Sequence, residues 1–357
     1  MDQAVEAKVG RPAKDRVLKA RQAHAILALL LAGSCVASLT IGATNTSLWT
    51  ALAKLLSGET LSQTEQIVLW QIRMPRTLLG VVVGAGLAVS GAIMQGLFRN
   101  PLADPGIVGV SAGAGLGAIM AIVLGASLPL WIQVLFGPYL LPLSAFLGSW
   151  IVVLILYAAA TRNGQTSVAT MLLAGIAIAA LTGALSGILI YLSNDQQLRD
   201  LTFWQLGSLS GATWNKVLTA GPIITLAIAL STALGHGLNG LAMGETTAMH
   251  LGIAVQRIKR LAVLATAAAT GAAVAVSGGI GFIGIVVPHL LRLSTGPDHG
   301  PLLINSALLG AALLLWADVV ARIIVAPVEL PIGIVTAIIG SPVFLWILLR
   351  RRGGFVM

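Results

Sequence analysis

Charged side chains are scarce: Asp, Glu, Lys and Arg make up 9% of the 357 residues, where a soluble globular chain carries about 25%. A soluble domain of this length would need a mostly uncharged surface. A soluble enzyme, a disordered chain and a nucleic-acid-binding domain are thereby excluded. Cysteine is reduced to Cys35, which rules out a disulfide scaffold. No lysine follows a glycine, so there is no Gly-x-x-x-x-Gly-Lys-Ser/Thr loop to cradle a nucleotide phosphate. His24, His236, His250, His289 and His299 are scattered, with no carboxylate or thiol at metal-ligand spacing. No nucleophile–base arrangement is present. The chain is therefore expected to have no catalytic residue and no metal site, and not to be an enzyme.

What is abundant is apolar surface (57%) and glycine, with 41 residues. This combination describes a polytopic membrane protein whose helices pack closely in lipid. Stretches free of charge run over 22–53, 77–98, 105–161, 163–194, 217–244, 261–291, 299–317 and 330–349, and about 20 apolar residues suffice for one crossing. The run 105–161 is too long for one helix and breaks at Ser127, Pro129, Pro138 and Pro142, which predicts two spans. The run 261–291 is interrupted by Ser277-Gly278-Gly279 and flanked by Arg257, Lys259, Arg260 and Arg292. Positive residues on both sides favour a hairpin with one abbreviated span. The count is ten.

Both ends are basic, through Lys8, Arg11, Lys14, Arg16, Lys19 and Arg21 and through Arg350, Arg351 and Arg352. Both termini are then expected in the cytoplasm, and an even number of spans agrees with that. The expected organisation is a basic segment 1–21, a ten-helix transmembrane domain 22–349 with its largest cytoplasmic loop at 236–260, and a basic tail 350–357. The first span should be an uncleaved helix, because its basic leader is too long for a signal peptide. A short helix around Trp49, over 47–56, should lie at the outer interface. Sorting the cations by side leaves Lys54, Arg73, Arg76, Arg199, Lys216 and Arg322 outside. Intramembrane charge is sparse, and only Asp318, Arg322 and Glu329 lie close to the apolar segments. Ion-coupled carriers keep acidic or histidine relays there, so the energy for any transport should come from elsewhere. Asp318 and Arg322, four residues apart, can also simply pair.

Three stretches are more specific than generic helix. The first runs from Leu69-Trp-Gln-Ile-Arg-Met-Pro-Arg-Thr-Leu78 to Phe98-Arg-Asn-Pro-Leu-Ala-Asp-Pro105. The second is Leu241-Ala-Met-Gly-Glu-Thr-Thr-Ala-Met-His-Leu-Gly252. The third runs from Gly279-Ile-Gly-Phe-Ile-Gly-Ile-Val-Val-Pro-His289 through Ala317-Asp-Val-Val-Ala-Arg322 to Glu329-Leu-Pro-Ile-Gly333. Together they resemble the FecCD family of ABC importer permeases, over nearly the whole chain from about residue 45. The resemblance implies an all-α fold of ten transmembrane helices per subunit, of the type II ABC importer kind, in a homodimer around a central translocation path. It implies two ATP-binding cassette subunits that use ATP and Mg, a periplasmic substrate-binding protein, and a place in the bacterial inner membrane. The chain itself would bind no cofactor and no nucleic acid.

Matched by motif, Arg73, Arg76 and Arg322 fall where the family's arginines receive acidic residues of the binding protein. Outward arginines are suited to bidentate capture of carboxylates. The alternative is snorkelling to headgroups. Gly244, Glu245, Ala248, Leu251 and Gly252 match the coupling loop that contacts the ATPase. There Met243, Ala248, Met249 and Leu251 would form a small apolar face, and Gly235, Gly237, Gly240, Gly244 and Gly252 would cut the loop into pieces. Asn100 and Leu102 match the inner gate, and Ser167 and Val168 match a second gate element, although this sequence lacks the Ser/Thr-rich form of the vitamin B12 permease. Small residues of span five (Ala174, Gly175, Ala179, Gly183, Gly187) could line a cavity or pack helices.

For cargo, Phe203-Trp-Gln-Leu-Gly-Ser-Leu-Ser-Gly-Ala-Thr-Trp214 looks most like the haem permeases of the family. Haem is the first expectation, with ferric siderophore and then cobalamin behind it. An ion-coupled secondary carrier working alone is the rival of a different class.

Overall fold

The computed structural model describes residues 2–42 and 47–351. The side chains of the basic segment 1–21, except Ala20, and of the tail 350–357 lie outside the described residues. The first apolar run closes helix α1 (Asp2–Thr40). The interfacial helix expected around Trp49 is α2 (Leu48–Leu56), capped by the Ser47 hydroxyl on the Thr50 N–H. Helix α3 (Gln63–Gln66) starts at a capping box between Ser62 and Glu65. It continues through a π-helical segment, Ile67–Arg73, into α4 (Met74–Leu97).

The run 105–161 divides as expected into α5 (Val110–Leu124) and, after the short α6 (Leu130–Phe136), α7 (Leu140–Ala160). A small hairpin of β1 (Thr161–Arg162) and β2 (Gln165–Thr166) pairs Thr161 with Thr166. It leads into α8 (Val168–Tyr191), α9 (Asp195–Leu206) and α10 (Trp214–Thr232). Two short helices, α11 (Gly235–Ala242) and α12 (Glu245–His250), precede α13 (Val255–Ser277), α14 (Ile283–Thr295), α15 (His299–Ile323) and α16 (Ile332–Arg351).

Among the described residues eight helices are long and apolar enough to cross a bilayer, and two shorter apolar helices, Ile283–Thr295 and Ile332–Trp346, agree with the expected count of ten. The abbreviated span is α14. The break before it has a steric cause: Gly278 has φ +72°, and a side chain there would collide with the Trp204 carbonyl of α9.

Helices α4, α13 and α15 form the interior, whereas α1 and α8 keep most of their surface outside the chain. Close approach requires glycine where α4 meets its neighbours. A Cβ on Gly84 would stand 2.5 Å from the Gly310 carbonyl of α15, and one on Gly91 would overlap the backbone of Gly284 in α14. Gly183 and Gly187 of α8 meet nothing within 4 Å. Those two do not pack helices within this chain. They face open space, as a cavity-lining helix would.

Candidate functional site

The charges within and beside the spans gather at two opposite ends of the bundle. At one end the π-helical segment brings Arg73 and Arg76 onto the inner face of α4. Arg76 donates to Asp318 of α15 from Nε (3.0 Å to Oδ1) and Nη2 (2.8 Å to Oδ1). Its Nη1 reaches Glu329 Oε1 at 2.8 Å. Arg322 meets the other oxygen, Asp318 Oδ2, at 2.8 Å. Arg322 also donates to the Ser38 and Ile41 carbonyls and the Ser38 hydroxyl of the α1 end. Arg73 Nη1 donates to the Leu39 carbonyl at 2.7 Å and to that of Thr40 at 3.1 Å. Two guanidinium groups thus share one carboxylate, and Glu329 completes a neutral set of four.

Arg73, Arg76 and Arg322, expected as outward cations, are buried against partners of this chain. They are 3%, 5% and 5% exposed, and Asp318 is 1% exposed. The physical reason is desolvation: buried charge is tolerated only when paired and hydrogen-bonded, and the partners are in this chain. The pairing of Asp318 with Arg322 is present, but Arg76 adds a second cation to it. Nearby, Lys54 bridges Glu65 at 2.9 Å, and Trp214 Nε1 donates to the Trp70 carbonyl at 2.9 Å.

The opposite end holds the loop 236–260. Gly244, at φ +108°, turns the chain between α11 and α12, and Gly252, at φ +77°, turns it out again. Gly235, Gly237 and Gly240 do not cut the loop, because they lie inside α11. The space that Gly237 and Gly240 leave is filled by Ile258 and Ile253. Met243, Met249 and Leu251 are exposed and form the apolar face. Ala248 does not belong to it. It is fully buried on the inner side of α12, toward Gly240. Glu245, the first residue of α12, pairs with Lys259 Nζ of α13 at 2.7 Å.

The proposed gate residues lie at this end too. The Arg99 guanidinium lies 4.0 Å from where a Cβ on Gly244 would sit. Asn100 Oδ1 accepts from the Leu102 N–H at 3.0 Å, a local turn that sets the loop after α4. Asp104 Oδ1 then accepts from Gly106 N at 2.7 Å. Burial raises the Asp104 carboxyl above its ordinary range, and the Gly106 N–H pulls it partly back. The turn Pro105–Val108, which follows the loop of Asn100 and Leu102, packs against α8. Ser167 caps α8 by accepting from Thr170 N, directly before Val168.

A cavity of about 370 Å³ opens beside α8, lined by Ser111, Gly115, Thr182, Gly183, Ser186 and Trp204 among others. Among the described residues no three His, Cys, Asp or Glu side chains converge as a metal site. Lys259, Asp104 and Glu329 escaped the sequence reading as site residues. A lysine and a glutamate flanking a short helix are the only local sign of the first.

The FecCD transport family matches residues 29–350. The hemin transport system permease protein HmuU of Yersinia pestis is 50% identical over 281 residues, covering 79% of this chain and 83% of that protein. The vitamin B12 import system permease protein BtuC of Salmonella typhi is 45% identical over 315 residues, covering 85% and 93%. The cobalamin import system permease BtuC of Halobacterium salinarum is 44% identical over 290 residues, covering 81% and 75%. A solved inward-facing structure of a metal-chelate type ABC transporter superposes with a TM-score of 0.80 at 33% identity, over 92% of this chain and 99% of that one. With ten candidate crossings, a jointed short-helix loop and matches of this extent, the chain belongs to the FecCD transport family, the permeases of ABC importers.

Proposed function

We propose that the chain is the permease subunit of an ATP-driven importer of haem, working as a homodimer in the bacterial inner membrane with both termini in the cytoplasm. The observation that carries the ATP-driven reading is the apolar face of Met243, Met249 and Leu251 on an otherwise anchored α12. An exposed apolar patch on a short helix is what a partner groove seats. Two ATPase subunits, which use ATP and Mg, dock there and supply the energy. The inert charge set supports the same reading against an ion-coupled carrier. Asp318, the carboxylate buried in α15, is held by two arginines and is not free to relay protons.

The periplasmic binding protein lands at the arginine end. Glu329 is 37% exposed and occupies one nitrogen of Arg76. A carboxylate of the binding protein can take that nitrogen by exchange, with Arg73 and Arg322 setting the positive field around it. The cargo passes along the open face of α8 between the two copies, and the Asn100–Leu102 and Ser167–Val168 elements close the path at the cytoplasmic end.

Haem is favoured by the 50% identity to a hemin permease, against 44% and 45% for the cobalamin permeases. Cobalamin is the second reading, since those relatives match over as much of the chain. Stimulation of ATP hydrolysis by haem-loaded binding protein, and none by the cobalamin-loaded form, is the expected result in the reconstituted complex. The reverse pattern assigns cobalamin.

A further inference from the structure

Lys259 is the largest fully buried side chain of the described residues, at 2% exposure, and its ammonium touches two separate elements. On one side lies Glu245, the first residue of α12, at 2.7 Å. On the other lies the Thr166 carbonyl of β2, 2.7 Å from the same nitrogen. The hairpin is held to α13 a second time, because the Thr166 N–H donates to Gln256 Oε1 at 2.9 Å. The next residue, Ser167, donates its N–H to Ala160 and caps α8. One ammonium therefore joins the helix offered to the ATPase and the hairpin that begins the pathway helix.

Stability alone does not account for a lysine here. A methionine has similar length and no desolvation cost, and replacing a buried ion pair by apolar groups is often neutral or stabilising. A methionine, however, leaves α12 held by its apolar contacts and the turns at Gly244 and Gly252, with no side-chain tie to α13 through Lys259. It also leaves the Thr166 carbonyl without that donor. The lysine supplies direction and stiffness where displacement must be passed on.

Resting on the ABC-permease reading, we infer that Lys259 is a positioning residue. Through Glu245 and Thr166 it makes α12 and the 161–167 hairpin move as one body, so that displacement of α12 by the ATPase is delivered to the start of α8.

The test uses the full permease–ATPase complex in lipid, with Cys35→Ser as background and spin labels at Arg162→Cys and His250→Cys. Distances are read within one labelled protomer, its partner carrying Cys35→Ser alone, without nucleotide and after turnover with ATP and vanadate. With Lys259 present, one narrow distance is expected in both states. Lys259→Met should broaden or split it in the trapped state, and ATP-driven uptake should fall about tenfold or more relative to ATP hydrolysed, the scale of one hydrogen bond to a charge. Glu245→Gln, on a partly exposed side chain, repeats the test if the methionine variant fails to accumulate. Superimposable distances and unchanged coupling in both variants overturn the inference. A parent chain that binds no ATPase overturns the ABC reading instead, so the two failures are distinct.

Discussion

Removing the carboxylate of Asp318 is the sharpest perturbation of this fold. It accepts from Arg76 Nε and Nη2 and from Arg322 Nη2, at 2.8 to 3.0 Å. Three charge-assisted donors contribute about 1.5–3 kcal/mol each, net of exchange with water. Truncation to alanine leaves two buried guanidinium charges with only the Glu329 carboxylate to balance them, although Arg322 keeps its acceptors on the α1 end. A buried pair broken on one side costs about 3–5 kcal/mol, a large share of a total stability of about 5–15 kcal/mol. Asp318→Ala should therefore lower the melting temperature of the purified chain sharply and reduce its amount in the membrane. The double variant Asp318→Ala with Arg76→Met should recover part of the loss, because one stranded cation is gone. Asp318→Ala with stability within about 1 kcal/mol of the parent would refute the shared-carboxylate argument.

Other consequences can be checked more simply. Ala248→Asp should abolish accumulation of folded protein, since the site is closed. Met249→Asp, on the exposed face, should leave the chain folded and weaken ATPase binding in a pull-down. Gly91→Val should prevent folding outright, because no side chain fits against Gly284; a normal yield in membranes contradicts the packing. Glu329→Gln, at the exposed member of the set, should leave the chain folded and strengthen docking of loaded binding protein by freeing one Arg76 nitrogen, and unchanged affinity at low salt counts against that end as the landing site.

The spans were legible because apolar runs, proline clusters and Ser277-Gly278-Gly279 are local signals. The charges were not, because their partners are remote. Arg76 pairs with residues 242 and 253 positions away, and counting cations by side treats each as independent. The polar α9 left no apolar run, and its capping box from Asn194 to Gln197 was the available sign. Ala248 was misplaced because the six residues of α12 are too few for a period to reveal a face. Lys259 read as a topology cation, since nothing in one dimension shows that its ammonium reaches both Glu245 and the hairpin at 161–166.

The most direct measurement is uptake of haem into proteoliposomes holding this chain, its ATPase and its binding protein. Accumulation that requires ATP and all three components, and is indifferent to proton or sodium gradients, is the expected result. Uptake by this chain alone under an ion gradient would contradict the account.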